Sequence, residues 1–172
     1  MDRPRPEDAQ GFRDAWGDAQ QRWAATIDRA RCLSDDQLYE RVDGEWSVVE
    51  TLRHLVFVTD SWVSRGMLGV RAPHHPLGLP PTGMKAVQGL DLDARPSLDR
   101  VLALRADRTR MVDRVMALLT DDELDEERRV SGPGHPRAGV WPVRRCALAV
   151  VNEEWRHRDY AERDLARLTH RT

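Results

Sequence analysis

The stretch Gly44–Val63, GEWSVVETLRHLVFVTDSWV, decides how the rest of the chain is read. Ser47 followed three residues later by Glu50 is a capping box. Each side chain can satisfy a backbone N–H that the first helical turn leaves without a partner. Val48, Leu52, Leu55, Trp62 and Val63 then recur at helical spacing. Thr59 is the one polar member of that stripe, and its methyl group can still pack. Around LVFV the apolar character extends nearly all round, which predicts burial on several sides. The helix is expected to run to about Met67, with His54 directly before its most apolar part.

Working outward, the chain before this helix carries a second periodic segment, roughly Glu7 to Arg31. Phe12, Trp16, Ala19, Trp23 and Ile27 form its stripe, and Gly17 weakens it slightly. LSDDQLYERV, residues 33–42, reads as a connector with a short helical turn. After the opening stretch, residues 68–96 are rich in Pro and Gly and show no strand alternation, so a long irregular crossing is expected. A third helix is predicted from Ser97 to Leu119, with Leu98, Val101, Leu104 or Arg105, Thr109, Val112 and Met116 inward. Residues 120–141 form a second loop. The last helix runs from about Pro142, suited to a first helical turn, to Thr169. Four helices without convincing strands predict an all-α fold: one domain over 1–172, a four-helix bundle with long crossover loops.

Composition narrows the function classes. The 172 residues suffice for a real core, and the net charge of −2 offers no global field for nucleic acid or an anionic membrane. Cys32 and Cys146 lack CxxC spacing and fall in helical apolar patterns, so two buried free thiols are expected. The N-terminus is charged, and no apolar run approaches membrane-spanning length. A cytoplasmic protein is the expectation, with a small-molecule substrate and no nucleic-acid or membrane partner.

The last helix contains VNEEWRHRDYAERDL, residues 151–165. Glu154, Arg158 and Glu162 stack at i, i+4, and Asp159 and Arg163 make a second pair; both are read as solvated salt ladders. Glu153 and His157 instead fall on the side of Cys146, Val150 and Tyr160, which look like core positions. If the second and last helices face one another, His54 joins them, and one carboxylate and two imidazoles converge on a divalent metal. Such a shell leaves a position open for water or substrate. Spacing alone equally allows a surface Glu–His pair beside a core histidine.

Residues 33–62 resemble the opening motif of the DinB/YfiT-like superfamily: a Leu-rich connector, Trp-Ser, then a helix ending in His-Leu. Trp46, Ser47, Glu50, His54 and Leu55 match it. In that family the last helix commonly reads His-Glu-x-x-His followed by Arg-Gly-Gln. Here it reads EEWRHRDY, with Glu154, His157 and Arg158 on the matching positions, Glu153 where the first histidine would be, and Tyr160 in place of glutamine. HPLGLPPTG, GLDLDARPSL and NEEWRHRDYAERDL also resemble a subgroup of actinobacterial DinB-like proteins. The resemblance implies a DinB-type bundle whose metal ligands are His54, Glu153 and His157, with zinc first and nickel or iron as alternatives. It also implies transfer of a low-molecular-weight thiol, mycothiol as co-substrate, since members with assigned activities are thiol-dependent transferases or isomerases; some relatives are hydrolases or lyases. Two rivals stand beside this reading: a non-catalytic protein binding a small ligand, and a structural homodimer with a degenerate metal site.

Further candidates surround the site. His74 and His75 can approach from the loop, the Tyr160 hydroxyl can reach a ligand, and Arg65 can line the pocket; these four are the candidate substrate-binding residues. Asp60 can line the pocket or cap. His135 and His170 are read as solvated. Trp62 is expected to pack near the site, and Trp16, Trp23, Trp141 and Trp155 to pack the bundle. No glycine-rich phosphate loop, Ser-His-Asp constellation or cysteine nucleophile is apparent.

Overall fold

The computed structural model describes residues 4–84 and 87–169, so His170 lies outside the described residues. The chain is mostly helical. Helix α1 is Ala9–Ala30, α2 is the single turn Asp35–Leu38, and α3 is Val48–Thr59, continuing as a π-helical segment, Asp60–Met67. Helix α4 is Leu98–Leu118, α5 is the turn Asp121–Leu124, and α6 is Val143–Thr169. Among the described residues no helix is long and apolar enough to cross a membrane.

The predicted starts of α3 and α4 are those observed. The Ser47 hydroxyl accepts from the Glu50 N–H, and the Glu50 carboxylate accepts from the Ser47 N–H at 2.9 Å. Ser97 caps α4 by accepting from Arg100 N–H. Asp8 caps α1 by accepting from Gly11 N–H at 2.7 Å. Every residue of α3 except Glu50 is buried, as the all-round apolar run implies. Pro142 closes a strand, one residue ahead of the helix it was expected to open.

Two parallel helix pairs, set antiparallel to each other, fix the connections. Trp155 Nε1 donates to Ala15 O, and Thr26 Oγ1 to Glu162, so α1 and α6 run the same way. Arg108 meets Asp60 and Ser64 meets Met111, so α3 and α4 also run the same way. Gly66 lies against Cys146 while His54 meets Glu153, so α3 and α6 oppose. A parallel neighbour requires the chain to travel back along the full length of the preceding helix, about 30 Å for twenty residues. That return is why residues 68–97 form a long crossing. Arg53 pins it: the buried guanidinium donates to the carbonyls of Leu77, Ala94 and Asp91.

The structure corrects four expectations. Glu127–Val130 and Gly139–Pro142 form a two-stranded antiparallel hairpin, β1 and β2, where no strand was expected. ERRV has no apolar alternation, and only Val130 is buried. Glu154 is not on a solvated ladder: it is 1% exposed and paired through both oxygens with Arg105. Of the two candidates at that turn of α4, Arg105 is the buried one. Asp159 is exposed, and Arg163 pairs with Glu45 and Asp164 instead. Cys32 is exposed, whereas Cys146 is buried as expected.

The π-helical segment was not legible. Leu68 N–H donates to Val63 O, five residues back, which shifts the helical register after Thr59. Within this segment Gly66 permits the close approach of α6: a Cβ there would lie 2.9 Å from the Cys146 sulfur.

Candidate metal centre

Three side chains from two antiparallel helices meet where α3 and α6 cross. His54 comes from the second turn of α3, and Glu153 and His157 from successive turns of α6. One ligand atom from each lies within 4.8 Å of the others. His157 Nε2 is 2.9 Å from Glu153 Oε2, and His54 Nε2 is 3.6 Å from the same oxygen. The two imidazole centroids are 4.6 Å apart. Among the described residues this is the group of three or more His, Cys, Asp or Glu that could hold a metal ion.

The hydrogen bonds set the tautomers. His54 Nδ1 is 2.9 Å from Leu79 O. A carbonyl only accepts, so Nδ1 carries a proton, and Nε2 is the ring nitrogen turned toward the Glu153 carboxylate, 3.6 Å away. A carboxylate set against two imidazoles in a largely buried site calls for a proton or a cation between them. His157 Nδ1 is buried without a partner among the described residues. Two imidazoles and one carboxylate form a common donor set for a divalent ion. A carbonyl orienting a ligand imidazole is the usual support for one. The residues present therefore fit a divalent cation.

The charge states suit ligation. Burial alone would raise the Glu153 carboxyl, but its pairing with His157 and His54 outweighs that and holds it well below the usual carboxylate range. Burial lowers the His157 pKa, reinforced by His54 and Arg156 and opposed by Glu153. An ionised carboxylate beside a neutral imidazole is the state that binds metal.

A cavity of about 490 Å³ opens on His157, with Trp46, Tyr160, Thr51, Thr82 and Arg41 among its lining residues. Trp46 lies against both histidines, its ring centroid 4.6 Å from His54 and 5.8 Å from His157. Trp46 and Thr51 were not singled out as site residues from sequence. The available signal was position: Trp46 directly precedes the N-cap, and Thr51 lies three residues before His54 on the same helix face. Tyr160 lines the cavity and meets the His157 ring edge-on. It is 39% exposed rather than a core residue.

The remaining candidates lie elsewhere. Arg65 does not line this cavity: it is 1% exposed and donates to the carbonyls of Pro136, Arg71, Ser131 and Gly132. His75 Nδ1 accepts from Leu77 N–H, and its own backbone N–H donates to Asp60. Asp60 is itself buried against Arg108. His74 bonds Ser61 Oγ and stacks on Phe57. Neither loop histidine lines the cavity at His157.

A sequence family model described as the DinB superfamily matches residues 18–161. The chain belongs to the DinB superfamily. The match spans α1 from Asp18, all of α3 and α4, and α6 as far as Ala161, so it includes all three residues of the cluster. No curated protein and no solved structure matches this DinB chain.

Proposed function

We propose that this DinB protein is a metal-dependent enzyme of four-helix-bundle type that transfers a low-molecular-weight thiol, such as mycothiol, to an electrophilic small molecule. His54, Glu153 and His157 hold the divalent ion, with zinc the first candidate and nickel or iron the alternatives. One observation carries the reading: a buried two-histidine, one-carboxylate cluster, with His54 Nε2 facing Glu153, opens on a cavity. When bound, the ion supplies positive charge that favours thiolate over thiol. In the transfer the thiol loses its proton to solvent water, a sulfur lone pair forms the S–C bond, and the displaced group leaves with its electron pair. The chain's own share is positioning. Trp46 and Tyr160 present aromatic surface to an apolar electrophile, the Thr51 and Thr82 side chains bring hydroxyls to the wall, and Arg41 is the cation lining it. The test incubates metal-replete protein with mycothiol and a panel of electrophiles beside a His157→Ala control. Conjugation faster than the control, with a thiol-induced change in the spectrum of cobalt-substituted protein, supports transfer; neither effect across the panel discards it.

A second reading is a small-ligand-binding protein without catalysis. It is favoured by the bonds Glu153 already makes, to His157 at 2.9 Å and Arg156 at 3.4 Å, which let the carboxylate stand without an ion. Protein purified free of divalent metal, yet binding a small ligand at the cavity, would favour it.

A further inference from the structure

A second and larger cavity, about 780 Å³, lies between the 69–96 crossing and the turn joining the hairpin strands. Arg71, His74, Gln88, His135 and Arg137 line it, and among the described residues no Asp or Glu does. We propose that this cavity binds the oxyanion of a small organic molecule, a phosphate or carboxylate, through Arg71, Arg137 and His135. It is separate from the centre at His157, and the two linings share no residue.

Three observations support the assignment. First, the positive groups are unspent. Among the described residues the guanidiniums of Arg71 and Arg137 have no acidic partner, and Arg65 beneath them meets only carbonyls. Its buried charge therefore adds to the field at the cavity floor. Second, the frame is built. The one Arg65 guanidinium ties Arg71 O to Pro136, Ser131 and Gly132 O, fixing both walls relative to each other. Gly134, at φ +130°, lies over that guanidinium, where an added Cβ would be 3.3 Å away. Third, His135 is oriented but uncommitted. It stacks on Phe57 at 5.8 Å and meets Trp62 edge-on at 5.2 Å, while its ring nitrogens make no hydrogen bond among the described residues. His74, by contrast, is committed to Ser61 and the His135 backbone. At Gly89 and Gly132 an added Cβ would meet nothing within 4 Å, so the mouth is open to a ligand. Two arginines and one imidazole lining one cavity from two loops suit a multi-oxygen anion.

The test titrates inorganic phosphate, and separately succinate, into the chelator-treated full chain, read by calorimetry and by backbone amide shifts. The expected result is saturable binding with shifts concentrated at Gly89, Gly132 and Gly134. Arg71→Gln and Arg137→Gln should each weaken it about tenfold. Arg114→Gln, an exposed α4 arginine outside the cavity, and His157→Ala should leave it unchanged. The tighter of the two anions identifies the oxyanion. Binding of neither, equal binding in the Arg71→Gln/Arg137→Gln protein, or shifts centred elsewhere overturns the assignment. Should the double variant misfold, the wild-type shift map still decides. Loss of metal binding at His157 has no bearing on this outcome, so the two sites fail independently.

Discussion

At the scale of single residues, burial decides which side chains can react. The Cys146 thiol is pushed up to about 11 by burial, while Cys32 is exposed. Only the thiolate is nucleophilic, so iodoacetamide at pH 8 should label Cys32 in native protein and reach Cys146 only after unfolding, as peptide mass mapping would show. Labelling of both at equal rates would contradict the packing. Burial also lowers the pKa of His74, His75, His135 and His157 from the ordinary 6.5. The unfolded chain then binds protons that the folded one refuses. Stability is fully present above pH 6.5 and is lost as pH falls below it. The denaturant midpoint of metal-free protein should therefore drop between pH 7.5 and 5.5; a flat profile would contradict it. The sequence made His54, Glu153 and His157 legible as a group because helical spacing pairs Glu153 with His157 and the family motif falls on His54 and His157. It placed Arg65 in the pocket and Glu154 on a solvated ladder because most of their partners, the carbonyls of Ser131, Gly132 and Pro136 for Arg65 and the Arg105 guanidinium for Glu154, lie far off in sequence.

At the scale of elements, arginines on α3 and α4 do what apolar packing does elsewhere. Arg105 joins α4 to α6 through Glu154 and lies over the Trp23 ring of α1 at 5.3 Å. Removing one partner of a buried pair strands the other charge, at a cost of about 3–5 kcal/mol. Arg105→Ala should lose that much in urea unfolding, whereas Arg105→Met with Glu154→Met should recover most of it. Equal stability of Arg105→Ala and wild type would show that Glu154 is solvated. Arg53 holds the long crossing by three carbonyls, so Arg53→Ala should make residues 69–96 the first site of limited proteolysis, with α1 and α6 still intact. The capping boxes and apolar stripes placed the long helices within a few residues because those signals are local. The hairpin was missed because its strands are four residues each and ERRV has no apolar alternation, and the π-helical segment because residues 60–67 keep a helical pattern that does not mark a shifted register.

For the whole molecule, two parallel helix pairs bring the middle of α3 against α6 and leave one cluster of ligand-type side chains at the crossing. The stretch that matches the DinB superfamily contains the three residues the geometry brings together, and the central claim is that they hold a metal. Elemental analysis of gently purified protein tests it most directly, with wild type, His54→Ala and His157→Ala prepared side by side and shown to be folded by circular dichroism. The account predicts stoichiometric divalent metal in wild type and its loss in both variants, since two remaining donors hold zinc poorly. Metal-free wild type that also takes up no zinc, nickel or iron on reconstitution, or undiminished metal in both variants, would contradict it.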